Sequence, residues 1–284
     1  MEDRCSMEST SASSLDRGVV SSQANRAVIA PEYVTKALRM IGLGESSTVL
    51  VHPDAILAAQ FGGTPPDQRL DALIEAVEAV IGRLGTLVVP TFSYSFTKGE
   101  RFDVSHTPSA VGMVSERFRT MPRVLRSSDP IFSFAAKGPL AEELCAIYVK
   151  ECFGAKSVFA LLHRVNACVV DLGCSMTRGG TFVHYVEVAH GVDYRYKKEF
   201  SGTVILPDGR GIETSVVYHV RDLARQSAAD LRRLQQRLAQ EKKLRSIDLG
   251  RSRIIAVRAN DLFDTAWQML DEDPVSLIRE GAKN

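Results

Sequence analysis

The sequence predicts an α/β fold, and three stretches carry that reading. Ser47–His52 and Thr86–Pro90 are short, β-branched runs separated by Leu70, Leu73, Ile74, Val77 and Ile81 on one helical face. A strand, a helical crossover of that length and a second strand make a parallel βαβ unit whose strand ends share one crevice. Ala167–Cys174 is an apolar run that gives way to Gly179-Gly180 and then to a helix start at Thr181–Glu187. Ligand sites in α/β sheets favour such strand ends. Later, Phe200–Leu206 and Ile212–Val220 alternate around Pro207-Asp208-Gly209, and Asp-Gly between two such runs predicts a β-hairpin.

Taken in order, residues 1–25 are Ser-rich and poor in large apolar groups. They offer too little surface to offset ordering entropy and are expected to be a disordered tail, with 26–284 forming a single domain. A first helix starts near Pro31, with Val34, Leu38 and Ile41 at helical spacing, and ends at Gly42. After the first strand comes the loop His52-Pro53-Asp54; Asp67 is placed to cap the following helix. Gly62-Gly63 lacks the Gly-Lys-Ser/Thr of a phosphate loop and reads as a turn. Thr91–Ser109 is a long loop rich in aromatics, a pattern of functional rather than disordered loops. Helices follow around Val114–Arg119, Leu140–Tyr148 and Val158–Arg164, with a strand-like run at Ile131–Ala136 between the first two. Asp230–Leu244 reads as an amphipathic helix with a solvated basic face, Arg253–Arg258 as a strand and Asn260–Leu270 as the last helix.

Composition excludes some classes. A net charge of +1 argues against broad electrostatic binding of nucleic acid. No apolar run approaches the roughly 18–20 residues that span a bilayer. The start of the chain has acidic residues and no apolar signal core, and the five cysteines form no CxxC; both features point to a reduced, cytoplasmic protein.

The chemistry concentrates at His184 and Glu187. Three residues apart on a helix, they meet on one face, where a carboxylate orients an imidazole and selects its tautomer. That makes His184 a general base. His184, Glu187 and His190 also spell HxxExxH, but ideal helical angles splay the outer histidines by about 120°, and no metal site is expected. His52, His106, His163 and His219 have no comparably placed carboxylate nearby in sequence and are assigned structural or solvent roles.

Taken together, several motifs resemble the aminoglycoside 3-N-acetyltransferase family, the non-GNAT group of coenzyme-A-dependent N-acetyltransferases. They are Gly85–Phe92, Phe102-Asp103 with Thr107-Pro108-Ser109 and Gly112, Arg126-Ser127 with Asp129-Pro130, Ser133–Ala136, and His184–Glu187 with the later hairpin. The resemblance implies a three-layer α/β/α fold with a mixed sheet, plus the C-terminal hairpin and helices. It implies acetyl-CoA as co-substrate and a small-molecule amino sugar as acceptor, with His184 catalytic and Glu187 its partner. Val51, His52, Asp54 and Ser127 are expected at the coenzyme, and Tyr94, Asp103, Asp129 and Thr177 at the acceptor. Ser127, Ser128 and Thr177 are the donors considered for the oxyanion. Asp129 stands where resistance enzymes of the family typically have His, and Cys174–Gly180 replaces their Asp-Thr-Asn-Thr-like turn. Those departures, with Arg101 and Arg178, direct the expectation toward an amino sugar of surface-polysaccharide biosynthesis rather than a polycationic drug. A non-catalytic sugar-binding or assembly protein on the same fold, a metal-dependent hydrolase and a homodimer stay open at this point.

Overall fold

The computed structural model describes residues 28–279; the expected tail, 1–25, and Cys5 lie outside them. Helix α1 (Pro31–Met40) carries Pro31 in its first turn, where a missing N–H costs nothing, and buries Val34, Ala37 and Leu38. Strand β1 (Thr48–Pro53), the single turn α2 (Ala55–Ala58) and α3 (Arg69–Ile81) lead to β2 (Thr86–Pro90). The long loop contains the two-residue β3 (Phe102–Asp103); α4 (Met113–Arg119), β4 (Leu125–Arg126) and β5 (Phe134–Lys137) follow. Then come α5 (Ala141–Cys145), α6 (Val158–Arg164), β6 (Cys168–Leu172), the short α7 (Met176–Gly179) and α8 (Phe182–His190). The chain closes with β7 (Arg195–Ile205), β8 (Gly211–Arg221), α9 (Arg232–Gln240), β9 (Leu244–Leu249), β10 (Ser252–Arg258) and α10 (Ala259–Glu272).

Seven strands form one mixed sheet in the order β4-β5-β2-β1-β6-β10-β9. β1 runs parallel to both β2 and β6, while β5, β10, β4 and β9 add antiparallel neighbours. Side chains alternate across this sheet. Val49 and Val51 of β1 and Val170 and Leu172 of β6 pack with α1 and α3; Leu50 and Val169 pack on the opposite face with α6, α8 and α10. Two apolar clusters on two faces make three layers, and strands buried on both sides read as unbroken apolar runs. Each fully buried Leu, Val or Phe contributes about 1.5–3 kcal/mol, so this sheet is a rigid platform. A second sheet, β3-β7-β8, stands beside it.

Several boundaries move. Asp67 does not cap α3, because a short 3₁₀ turn, Pro66–Gln68, intervenes and Gln68 takes the cap position without a side-chain bond. The helix expected over Leu140–Tyr148 closes at Cys145. The amphipathic helix ends at Gln240, and Leu244 starts an edge strand on β10 that helical spacing had concealed. Its basic face is tied by ion pairs, Arg233 to Asp273 and Arg237 to Glu272 and Glu241, rather than simply solvated. The hairpin starts five residues earlier than Phe200, at Arg195, which pairs in register with Arg221.

Candidate active site

The catalytic helix is delivered by a crowded strand end. β6 stops at Gly173, whose φ of 88° only glycine adopts without strain, and the chain then makes α7. Gly179 lies against the strand beneath it: a β-carbon there would come within 1.9 Å of Asp171 Oδ1. One residue on, a β-carbon at Gly180 would meet Leu231 at 2.2 Å. The Gly-Gly pair therefore lets α7 seat on the sheet and aims α8 across it. Phe182, Val183 and Val186 bury one side of α8 in the core. His184 and Glu187 share another.

His184 Nδ1 lies 2.7 Å from Glu187 Oε2. Glu187 is fully buried, and its carboxylate also accepts from Arg195 Nε at 2.6 Å and from the Tyr194 hydroxyl at 3.0 Å. Arg195 Nη2 in turn reaches His184 Nδ1 at 2.7 Å, and Nη1 donates to the carbonyl of His219. Burial alone would raise the Glu187 carboxyl, but His184, Arg195 and Tyr194 together hold it below the ordinary value, so it is ionised. Burial, then the Arg195 charge, pulls the His184 imidazole below its ordinary value against the opposite pull of Glu187. The result is a neutral imidazole with about a fifth of its side chain open to solvent.

Aromatic rings wall the recess. Phe153 stands edge-on to the His184 ring with centroids 5.6 Å apart, and Phe132 and Tyr218 pack on Phe153. Tyr94 packs on Phe132. It is held in the left-handed backbone region (φ 59°), a costly conformation for a bulky residue at a loop apex. Of the sequence-predicted acceptor residues, only Tyr94 connects to His184 through contacts of this kind. Asp129 is 2% exposed and spends Oδ1 on the amides of Ile131 and Phe132; it shapes the turn under Phe132. Asp103 closes a tight turn with Ser105 and His106 on the second sheet. Thr177 is exposed on α7, its hydroxyl accepting from Leu231 N–H.

The loop after β1 meets α7. Asp54 caps Ile56 N–H and pairs with Arg178 at 3.1 Å. His52 and Asp171, in register on β1 and β6, face the α8 layer 3.4 Å apart. Both His52 ring nitrogens and Asp171 Oδ1 are buried without a hydrogen-bond partner among the described residues. Val51 is buried in the core and presents only its backbone. Ser127 is a correction: it is fully buried, and its hydroxyl accepts from Phe134 N–H within the β4–β5 ladder, so it meets neither coenzyme nor oxyanion. His190 pairs with Asp271 at 2.9 Å and packs on Trp267, so HxxExxH does not converge.

Tyr194, Arg195, Phe153 and Tyr218 escaped the sequence reading. Asp193-Tyr194-Arg195 precedes the alternating run and carried no strand signal. Its one cue is an arginine seven to eight residues after His–Glu, close enough to return beside α8.

The comparisons match this architecture. The family described as aminoglycoside 3-N-acetyltransferase matches residues 50–271. Aminoglycoside N(3)-acetyltransferase IV of Salmonella sp is 31% identical over 210 residues, covering 72% of this chain and 76% of that protein. A histidine-to-alanine mutant of aminoglycoside acetyltransferase AAC(3)-IVa in complex with a gentamicin superposes with TM-score 0.71 at 25% identity, over 91% of this chain and 94% of that one. AAC-IIIb in a binary complex with CoASH shares the fold, with TM-score 0.71 at 18% identity over 86% and 97% of the two chains. The chain belongs to the aminoglycoside 3-N-acetyltransferase family, as an acyltransferase with acetyl-CoA as its co-substrate.

Proposed function

We propose that the protein acetylates an amino group of an amino sugar by direct transfer from acetyl-CoA, with His184 as general base. The observation that carries this reading is the 2.7 Å contact of Nδ1 with a fully buried carboxylate. With its hydrogen on Nδ1 facing Glu187, the ring keeps its lone pair on Nε2 for the acceptor. An amine is mostly protonated at neutral pH and attacks only once it has shed a proton. In the proposed step the amine nitrogen bonds the thioester carbon while Nε2 takes the nitrogen's proton. The C–S bond breaks, and the departing sulfur receives that proton from the imidazolium. Glu187 holds the ring in place and offsets its charge.

Direct transfer is supported by the thiols. Burial pushes Cys145 and Cys174 up to about 12 and Cys168 up to about 11, and burial and Asp129 push Cys152 well above its ordinary value. Thiols that stay protonated are poor nucleophiles. For the coenzyme, the loop after β1 remains the proposed contact, through Asp54 with Arg178 at its mouth and the unpartnered polar atoms of His52 and Asp171 behind it. Amide groups and phosphates are the chemistry such a lining suits.

The relatives' names favour an aminoglycoside acceptor. A second reading, a biosynthetic and nucleotide-linked amino sugar, is favoured by one observation: Glu151, close to the recess, is already paired with Lys197 and His219. A polycation would have to compete for it. Thiol release from acetyl-CoA against a panel of aminoglycosides and amino-sugar nucleotides tests both. Turnover of aminoglycosides alone sinks the second reading; no turnover of any amine sinks the proposal.

A further inference from the structure

Two cationic partners converge on one buried carboxylate beside His184. Glu187 Oε2 is 2.7 Å from His184 Nδ1 and 2.6 Å from Arg195 Nε, while Arg195 Nη2 is itself 2.7 Å from Nδ1. Nδ1 of a neutral imidazole either donates to Glu187 or accepts from Arg195; it cannot do both. Only the first arrangement leaves Nε2 able to take a proton. A buried carboxylate facing the ring alone would go further and favour the imidazolium, a base already filled before the amine arrives.

The Arg195 side chain is 4% exposed and is fixed from behind by the carbonyl of His219 at 3.2 Å. It therefore cannot swing away as a surface arginine would. We propose that Arg195 is a positioning residue that keeps His184 a free base, by sharing Glu187 and cancelling its charge until the imidazole takes the amine's proton. This rests on the reading of His184 as general base.

The remaining charged and titratable neighbours do not supply that balance. On α8 itself, Tyr185 turns to His163 and His190 to Asp271. From the segment leading into β7, the Tyr194 hydroxyl donates to Glu187 but brings no charge. From β8, Tyr218 is pushed up by burial and stays neutral, and the His219 ring pairs with Glu151. Ahead of α6, Cys152 stays a thiol beside Asp129. Arg195 is the cation in contact with the pair, and the lowered His184 value follows first from burial and next from Arg195.

The test is the pH profile of kcat/KM for the parent, Arg195→Gln and Arg195→Lys with one acceptor amine. The amine's own titration is common to all three, so differences between profiles report the enzyme. In Arg195→Gln the acid limb should move up by about one pH unit or more, the shift a charge within about 4–6 Å produces. Activity near neutrality then falls roughly tenfold and recovers at alkaline pH. Arg195→Lys, which restores the charge, should return the limb to within a few tenths of a unit of the parent. A limb that stays in place in Arg195→Gln, or a uniform loss at every pH, overturns the proposal.

Should Arg195→Gln fail to fold, nitrogen NMR of the His184 ring in the parent decides. A neutral ring with its hydrogen on Nδ1 and a midpoint below the ordinary 6.5 supports the proposal; a midpoint above it overturns it. His184→Ala run alongside separates the two claims. If it keeps full turnover, the base assignment itself fails; if it is impaired while the Arg195→Gln limb is unmoved, only the role of Arg195 fails.

Discussion

Glu187→Gln isolates the buried charge network. The substitution keeps the side chain's shape and removes a negative charge that accepts from Arg195 Nε at 2.6 Å, from Tyr194 at 3.0 Å and from the imidazole at 2.7 Å. Arg195 is left buried and uncompensated. Breaking a buried ion pair from one side costs about 3–5 kcal/mol, which for a domain of this size lowers the melting temperature by on the order of 10 °C. Turnover should also fall, by about tenfold to a hundredfold. That is a fraction of the 10² to 10⁴ that general-base assistance supplies, because a glutamine oxygen still accepts from Nδ1–H. Thermal unfolding followed by circular dichroism reads the first effect and thiol release the second. The double variant Glu187→Gln/Arg195→Met removes both charges and should recover much of the lost stability. A single variant that melts within about 2 °C of the parent, or a double variant destabilised by the full sum of the singles, would refute the charge-pair account.

Three further outcomes follow from other parts of the molecule. Burial lowers His163, His184 and His219 below 6.5, so between their folded and unfolded values the unfolded chain binds more protons. Stability is therefore fully present above about pH 6.5 and lost as pH falls through the depressed folded values; denaturant unfolding at about pH 7.5 and about pH 5.5 should show the decline, and a flat or rising curve contradicts it. Arg126 pins the long loop by donating to the carbonyls of Thr91, Val104 and Thr107. Arg126→Met should cost at least about 3 kcal/mol, since each orphaned buried acceptor costs about 1–3; a midpoint shift worth under about 1 kcal/mol counts against that role. Deletion of residues 1–25 should leave melting temperature and turnover nearly unchanged, on composition alone; a large loss in either would show that the segment is integrated.

The parallel core was legible because strands buried on both faces are written as continuous apolar runs, and Val49–Val51 and Val169–Leu172 are such runs. His184 and Glu187 were legible because both lie on one helix, where spacing in sequence is spacing in space. Arg195 was not, because its place beside them depends on where β7 enters the second sheet, a tertiary fact no local pattern records. The same limit hid β9: Leu244 continues the helical stripe, and only pairing with β10 takes it out of the helix. Ser127 and Asp129 looked like ligand contacts because polar residues before a strand often are. Here their side chains satisfy the amides of Phe134, Ile131 and Phe132 in the turn itself.

The most direct test of the central claim, a proton taken by His184 during direct transfer, is the turnover rate of His184→Ala at saturating acetyl-CoA and amine. The ring is replaced at a position whose neighbours, Phe153 and Glu187, are held by other contacts, so the fold survives and the rate reports the lost base. A fall of about 10² to 10⁴-fold is expected. A rate equal to the parent's would mean that the proton leaves by another route, and that His184 is not the base.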